Sequence, residues 1–144
     1  MGLFSRKKWE KLGNAWTGLA VGGQLGELSP TILDLRDIDY RAIPLSDFMA
    51  LMRKFRRQET WYRKEIFDCD DYAICFMADI KRGWAEVSLG NDSLAFGYIS
   101  AVNPDGVMHA FIWQLDDQGS INFIEPQTDT IISWRPIGVK CIEA

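Results

Sequence analysis

The chain has 144 residues, 47% of them hydrophobic, and a formal net charge of −4, which suits one domain with a real core and is short for two. No basic face is concentrated beyond the first third, so a nucleic-acid binder that must neutralise phosphates is not expected. No apolar run approaches the ~20 residues of a membrane span, and the start is too polar and glycine-broken for a secretory signal, so a cytoplasmic, reducing location is the expectation.

Residues 1–29 differ from the rest, with Arg6, Lys7, Lys8 and Lys11 against Glu10 and then repeated glycines. They are read as an N-terminal extension, and 30–144 as the domain. Trp9, Leu12, Trp16 and Leu19 fall at helical spacing, so an amphipathic contact with a membrane or partner stands beside a plain arm that packs or frays.

"TILDLRDIDYRAI" reads as extended. "PLSDFMALMRKFRRQ" then places Phe48, Leu51, Met52 and Phe55 on one buried helical face, with Ser46 as the expected N-cap. A second helix is expected from Cys69, burying Ala73, Phe76, Met77 and Ile80 and stopping near Gly83. Cys75, inside it, reads as a small buried hydrophobe. The second half alternates: "SLAFGYISAV", "VMHAFIWQL" and "SINFIEP" read as three antiparallel strands joined by "NPDG" and "DDQG" turns, with "TIISWR" and "IGVKCIE" as two more. Helices followed by strands give an α+β domain, its helices packed on one face of an antiparallel sheet.

The chain holds three cysteines and one histidine. The cysteines, Cys69, Cys75 and Cys141, suggest neither a disulfide framework nor paired metal ligands. Cys69 opens a helix, where the macrodipole favours a thiolate. His109 lies on a strand beside Phe111, Trp113 and Leu115, a setting in which histidine is commonly structural. A three-residue hairpin loop around Asp117 would set His109 opposite Glu125, Phe111 opposite Phe123 and Trp113 opposite Ile121. Any odd loop keeps Glu125 on the histidine's face and turns Asn122 away; an even loop reverses this. Cys69, His109 and Glu125 could then act as nucleophile, general base and orienting acid. The Cys69 amide, with Gln58 or Trp61, is the candidate oxyanion donor.

Asp68, Asp70 and Asp71 crowd the thiol and disfavour its ionisation, whereas a cation held among them would reverse that field. Acids in a first helical turn also have a plain dipole explanation. Oxygen ligands suit calcium, with manganese second. Asp116 and Asp117 of "DDQG" could contribute to a metal site or merely build the turn.

"FDCDDYAICF", "GVMHAFIWQLDDQG" and "FIEPQT" resemble papain-like and transglutaminase-like thiol enzymes, and more narrowly the C-terminal domain of fungal chimeric agglutinins, a calcium-dependent papain-like cysteine peptidase domain. The similarity spans roughly residues 40 to 135. It implies a papain/transglutaminase-like core, Cys69, His109 and Glu125 as the triad, calcium as cofactor, and a peptide or protein substrate. The agglutinins' sugar-binding trefoil domain has no counterpart here, and the first 29 residues match nothing recognised. The alternatives are acyl transfer to an amine on the same scaffold, and a non-catalytic binding or inhibitory module that grips its partner through exposed aromatics.

Overall fold

Alternating apolar residues in the C-terminal half build the centre of the protein. The computed structural model describes residues 10–13, 32–34, 37, 39–56, 68–88, 90 and 92–143. Strand β5 (Phe96–Val102) pairs antiparallel with β6 (Met108–Leu115), which pairs antiparallel with β7 (Ile121–Glu125). The short β8 (Thr130–Ile131) extends that edge, and β9 (Gly138–Glu143) flanks β5 on the other side. β2 (Ile32–Asp34) closes the six-stranded order β2-β9-β5-β6-β7-β8 by pairing parallel with β9. A smaller sheet joins β1 (Glu10–Gly13), β3 (Asp39–Ala42) and β4 (Ser93–Leu94).

Both faces of the large sheet are buried, because the two sets of alternate residues in β5 and β6 are both apolar. Phe96, Ala110 and Ile112 face helices α1 (Leu45–Phe55) and α2 (Cys69–Val87), in a core with Phe48, Leu51, Phe76 and Ile80. Ile99, Ala101, Phe111, Trp113 and Leu115 face the other way, with Tyr40, Val139 and Ile142. Each fully buried large side chain contributes roughly 1.5–3 kcal/mol of transfer free energy, so the core rests on these two layers.

The expected α+β class is corrected. Among the described residues nine strands accompany two helices, so the chain is mostly β. The sheets are also mixed, since β2–β9 and β3–β4 pair in parallel. β2 and β3 lie within the stretch expected to be extended, whereas the four residues of β1 are too few for alternation to be read, and parallel pairing leaves no local signal. Residues 10–13, including Leu12 of the proposed amphipathic face, pair as a strand with β3; Trp9, Trp16 and Leu19 lie outside the described residues. No described helix is long and apolar enough to cross a membrane.

The helices depart from expectation at their ends. Pro44, not Ser46, is the N-cap of α1, and its carbonyl accepts the Phe48 amide at 3.0 Å. Proline's fixed φ already sets the helix entry two residues earlier. α2 runs through Gly83 to Val87. There Gly83 gives close approach, because a Cβ would overlap the Phe55 ring. Cys75 is exposed, as it lies between the buried positions Ala73 and Phe76 on the outward side of the turn.

Candidate functional site

The N-terminus of α2 meets the sheet at the start of β6. Asp68 is the N-cap, but its side chain makes no capping bond; its carbonyl instead accepts the Tyr72 amide at 3.0 Å. Cys69 follows as the first helical residue, and its sulfur accepts the backbone N–H of Ala110, the residue after His109. Burial pushes the Cys69 thiol up, the Ala110 amide partly opposes that, and the Asp68 and Asp70 charges raise it further. Thiolate formation is therefore disfavoured despite the helix dipole.

His109 occupies the opposite layer. Its ring stacks on Phe111 at 5.8 Å between centroids and lies 6.5 Å from Trp134, which packs edge-on against Phe111. The His109 Nε2 and Glu125 Oε2 atoms are 2.5 Å apart, and Glu125 Oε1 accepts the Gln127 amide at 3.2 Å. This pair is partly exposed, with side-chain accessibilities of 21% and 18%.

The pairing arises through a different register from the expected one. Ile112 faces Ile124, Trp113 faces Phe123 and Leu115 faces Ile121. The hairpin loop is thus two residues longer than expected, and the continued register sets Glu125 across from Phe111. Odd loop parity keeps Glu125 and His109 on one face, as diagonal neighbours. Asn122 points to the other face, where its amide donates to Gln114 Oε1 and Asp116 Oδ2, both at 3.0 Å. Asp116 is a turn residue: its Oδ1 accepts the Gln118 and Ser120 amides at 2.9 Å.

The structure thus joins His109 to Glu125 and places Cys69 against the adjacent Ala110, with no hydrogen bond between Cys69 and His109. Gln58 and Trp61 lie outside the described residues. Potential ligand atoms of Asp68, Cys69 and Asp70 lie within 4.8 Å of one another, while Asp71 is exposed and outside that group. Two further residues, missed in the sequence, share the Cys69 neighbourhood. Burial pushes the Tyr98 phenol up, its bond with Ser100 opposes this, and the charges of Asp70, Cys141 and Cys69 add to the rise. Cys141 stands opposite Ser100 across the β5–β9 pairing. No sequence signal joins these positions, because β9 reaches β5 only through long-range pairing.

Residues 40–131 match the family described as Agglutinin C-terminal. The chain belongs to that family. Among curated proteins, none matches it. Two solved structures are similar in fold. The structure titled "PSL1a-E64 complex" has a TM-score of 0.77 at 20% identity, covering 93% of this chain and 50% of that one. A Polyporus squamosus lectin, bound to a human-type influenza-binding epitope Neu5Aca2-6Galb1-4GlcNAc, has a TM-score of 0.67 at 20% identity, covering 95% of this chain and 50% of that one. The chain thus spans about half the length of these structures.

These findings correct the reading drawn from the resemblance. The matches name an agglutinin domain, a lectin and an E64 complex, and none names a papain-like peptidase. The papain/transglutaminase-like fold, the cysteine-hydrolase activity and the peptide substrate are not retained. The raised Cys69 thiol, bonded to a backbone amide and not to the imidazole, agrees with that correction. What stands is a domain of the Agglutinin C-terminal family.

Proposed function

We propose that this agglutinin domain is a non-catalytic binding module whose ligand seats at His109, Glu125 and Trp134 near the start of β6. The observation that carries this reading is the half-buried His109–Glu125 pair beside the half-exposed Trp134 ring. Few polar groups fixed beside an aromatic plate are the equipment of a small-ligand site: the polar atoms orient hydroxyls and the ring covers an apolar face. A glycan fits that chemistry, and the lectin in the comparison carries one.

The test is to titrate the full chain with Neu5Aca2-6Galb1-4GlcNAc while following His109 and the tryptophans by NMR. Saturable shifts at His109 and Trp134, weakened about tenfold or more by Trp134→Ala, are expected. Shifts confined to other residues, no binding at millimolar glycan, or chemical conversion of the ligand would overturn the reading.

A second reading rests on the similarity in fold to the PSL1a–E64 complex. A compound such as E64 would seat at Cys69, on the helical face of β6, which intact mass and NMR of wild type and Cys69→Ala with E64 would reveal. Calcium enters as a proposal about Asp68 and Asp70. Together with Cys69 they form the one candidate metal group among the described residues. Calcium takes six to eight oxygens and not sulfur, so the described residues fit it in part, through these two carboxylates. Residues 1–29 are retained as a proposed N-terminal arm, of which residues 10–13 pair with β3, with contact to a membrane or partner as the second reading.

A further inference from the structure

The turn that follows Glu125 is tied down from the opposite layer by one arginine. Arg56, the C-cap of α1, directs one guanidinium nitrogen, Nη1, to Asp129 and the other, Nη2, to the Tyr72 hydroxyl at 3.1 Å. Its guanidinium also lies over the Phe76 ring, 5.9 Å from the centroid, and Nε is buried without a partner among the described residues. A guanidinium this enclosed has few alternatives to the geometry it holds.

Asp129 is the only non-glycine described residue with a left-handed backbone, at φ 55°. Such a conformation persists where surrounding contacts hold it. The segment between Asp129 and the site is short and bonded throughout. Thr128 donates its amide to the Glu125 carbonyl at 3.3 Å, Gln127 donates to Glu125 Oε1 at 3.2 Å, and Glu125 pairs with Thr130 across β7–β8.

The geometry points to Arg56 as a positioning residue for the His109–Glu125 pair: by clasping Asp129 it fixes the turn whose amide orients Glu125, and so holds Oε2 on the imidazole. Arg56 touches neither member of the pair. It links the helical layer, through Tyr72 and Phe76 of α2, to the opposite face, where His109 lies. The inference builds on the site proposed above, but its test needs no ligand.

The chain's single histidine makes the readout unambiguous. Imidazole ¹⁵N spectra of the full chain report which ring nitrogen carries the proton, and the Nε2–H exchange rate reports how firmly Glu125 accepts it. Arg56→Lys and Asp129→Asn are compared with wild type. Asparagine tolerates the left-handed backbone, so the second variant keeps the turn while removing the charge that Arg56 clasps. The expected result is faster exchange of the Nε2 proton, by about tenfold or more in both variants, with a shift toward mixed tautomers. An unchanged tautomer and exchange rate in folded Asp129→Asn would overturn the proposal, even if Arg56→Lys fails to fold. Glycan binding confined to residues away from His109, in a chain with an intact imidazole signature, would count against the proposed function alone.

Discussion

The imidazole Nε2 of His109 and the carboxylate Oε2 of Glu125 meet at 2.5 Å across a diagonal of the β6–β7 ladder. Each Glu125 oxygen has its own partner, since Oε1 accepts the Gln127 amide. Removing the carboxylate therefore strands a ring nitrogen and a turn amide together. Glu125→Ala is expected to lower stability by about 1–3 kcal/mol, the usual cost of unpairing partly buried polar groups. Glu125→Gln, which keeps an acceptor for the amide, should cost less. Urea unfolding followed by circular dichroism decides it, and equal stability of wild type and Glu125→Ala would show the pair to be energetically idle.

Gly83 sets two effects against each other. Within a helix interior, alanine is favoured over glycine by about 1 kcal/mol. Here, however, a Cβ would overlap the Phe55 ring of α1, and overpacking of a core costs about 1–3 kcal/mol. Sterics should win, so Gly83→Ala is expected to destabilise the protein. Phe55→Ala removes the obstructing ring, and Gly83→Ala added to that background should be neutral or stabilising. The double-mutant cycle measures the coupling; a more stable Gly83→Ala single variant would refute the close-approach role.

The sequence revealed elements whose signals are local. The α1 and α2 faces carrying Phe48, Leu51, Ala73, Phe76 and Ile80 are buried as their spacing implies, and the three central strands fall where alternation places them. His109 and Glu125 share a face because loop parity survives an error of two residues, whereas their exact pairing does not. What remained illegible depends on long-range placement. Cys141 comes near Tyr98 only through the β5–β9 pairing, and Tyr98 comes near Cys69 only where the helical layer packs on β5. The clasp between Arg56 and Asp129 joins positions 73 residues apart. Nor could spacing show that the Cys69 thiol meets the Ala110 amide, because helix periodicity fixes a face and not the neighbour opposite it.

The surroundings of Cys69 predict a quiet thiol. Burial is the largest cause of its raised ionisation, with Asp68 and Asp70 adding to it. Alkylation by iodoacetamide at neutral pH should be slower than for an ordinary exposed cysteine, since the thiolate is the reacting species. Because Cys75 is exposed, labelling must be read per residue by peptide mass spectrometry. Asp70→Asn removes one raising charge and should speed labelling at Cys69 without changing that at Cys75. Calcium, if held by Asp68 and Asp70, should act in the same direction and lose its effect in Asp70→Asn. Identical Cys69 rates in wild type, Asp70→Asn and calcium-treated protein would exclude both the electrostatic coupling and the cation.

The same groups predict how stability responds to alkali. Cys69 and Tyr98 both ionise less readily in the folded protein than in the unfolded chain, mainly because of burial. As pH rises past their ordinary values, about 8.5 for a thiol and about 10 for a phenol, the unfolded chain releases protons that the folded one retains. The unfolded state then binds fewer protons, so stability falls with rising pH. The contribution is fully present at neutral pH and is lost as pH climbs through the folded-state values. Thermal melts between pH 7 and pH 10.5 should show a declining Tm in wild type. Cys69→Ser should flatten the first part of that decline, and Tyr98→Phe the later part. Since both groups are only partly enclosed, solvent screening tempers the size of each effect, and the order of the two flattenings is the sharper signature. Parallel declines in wild type and both variants would place the alkaline sensitivity elsewhere.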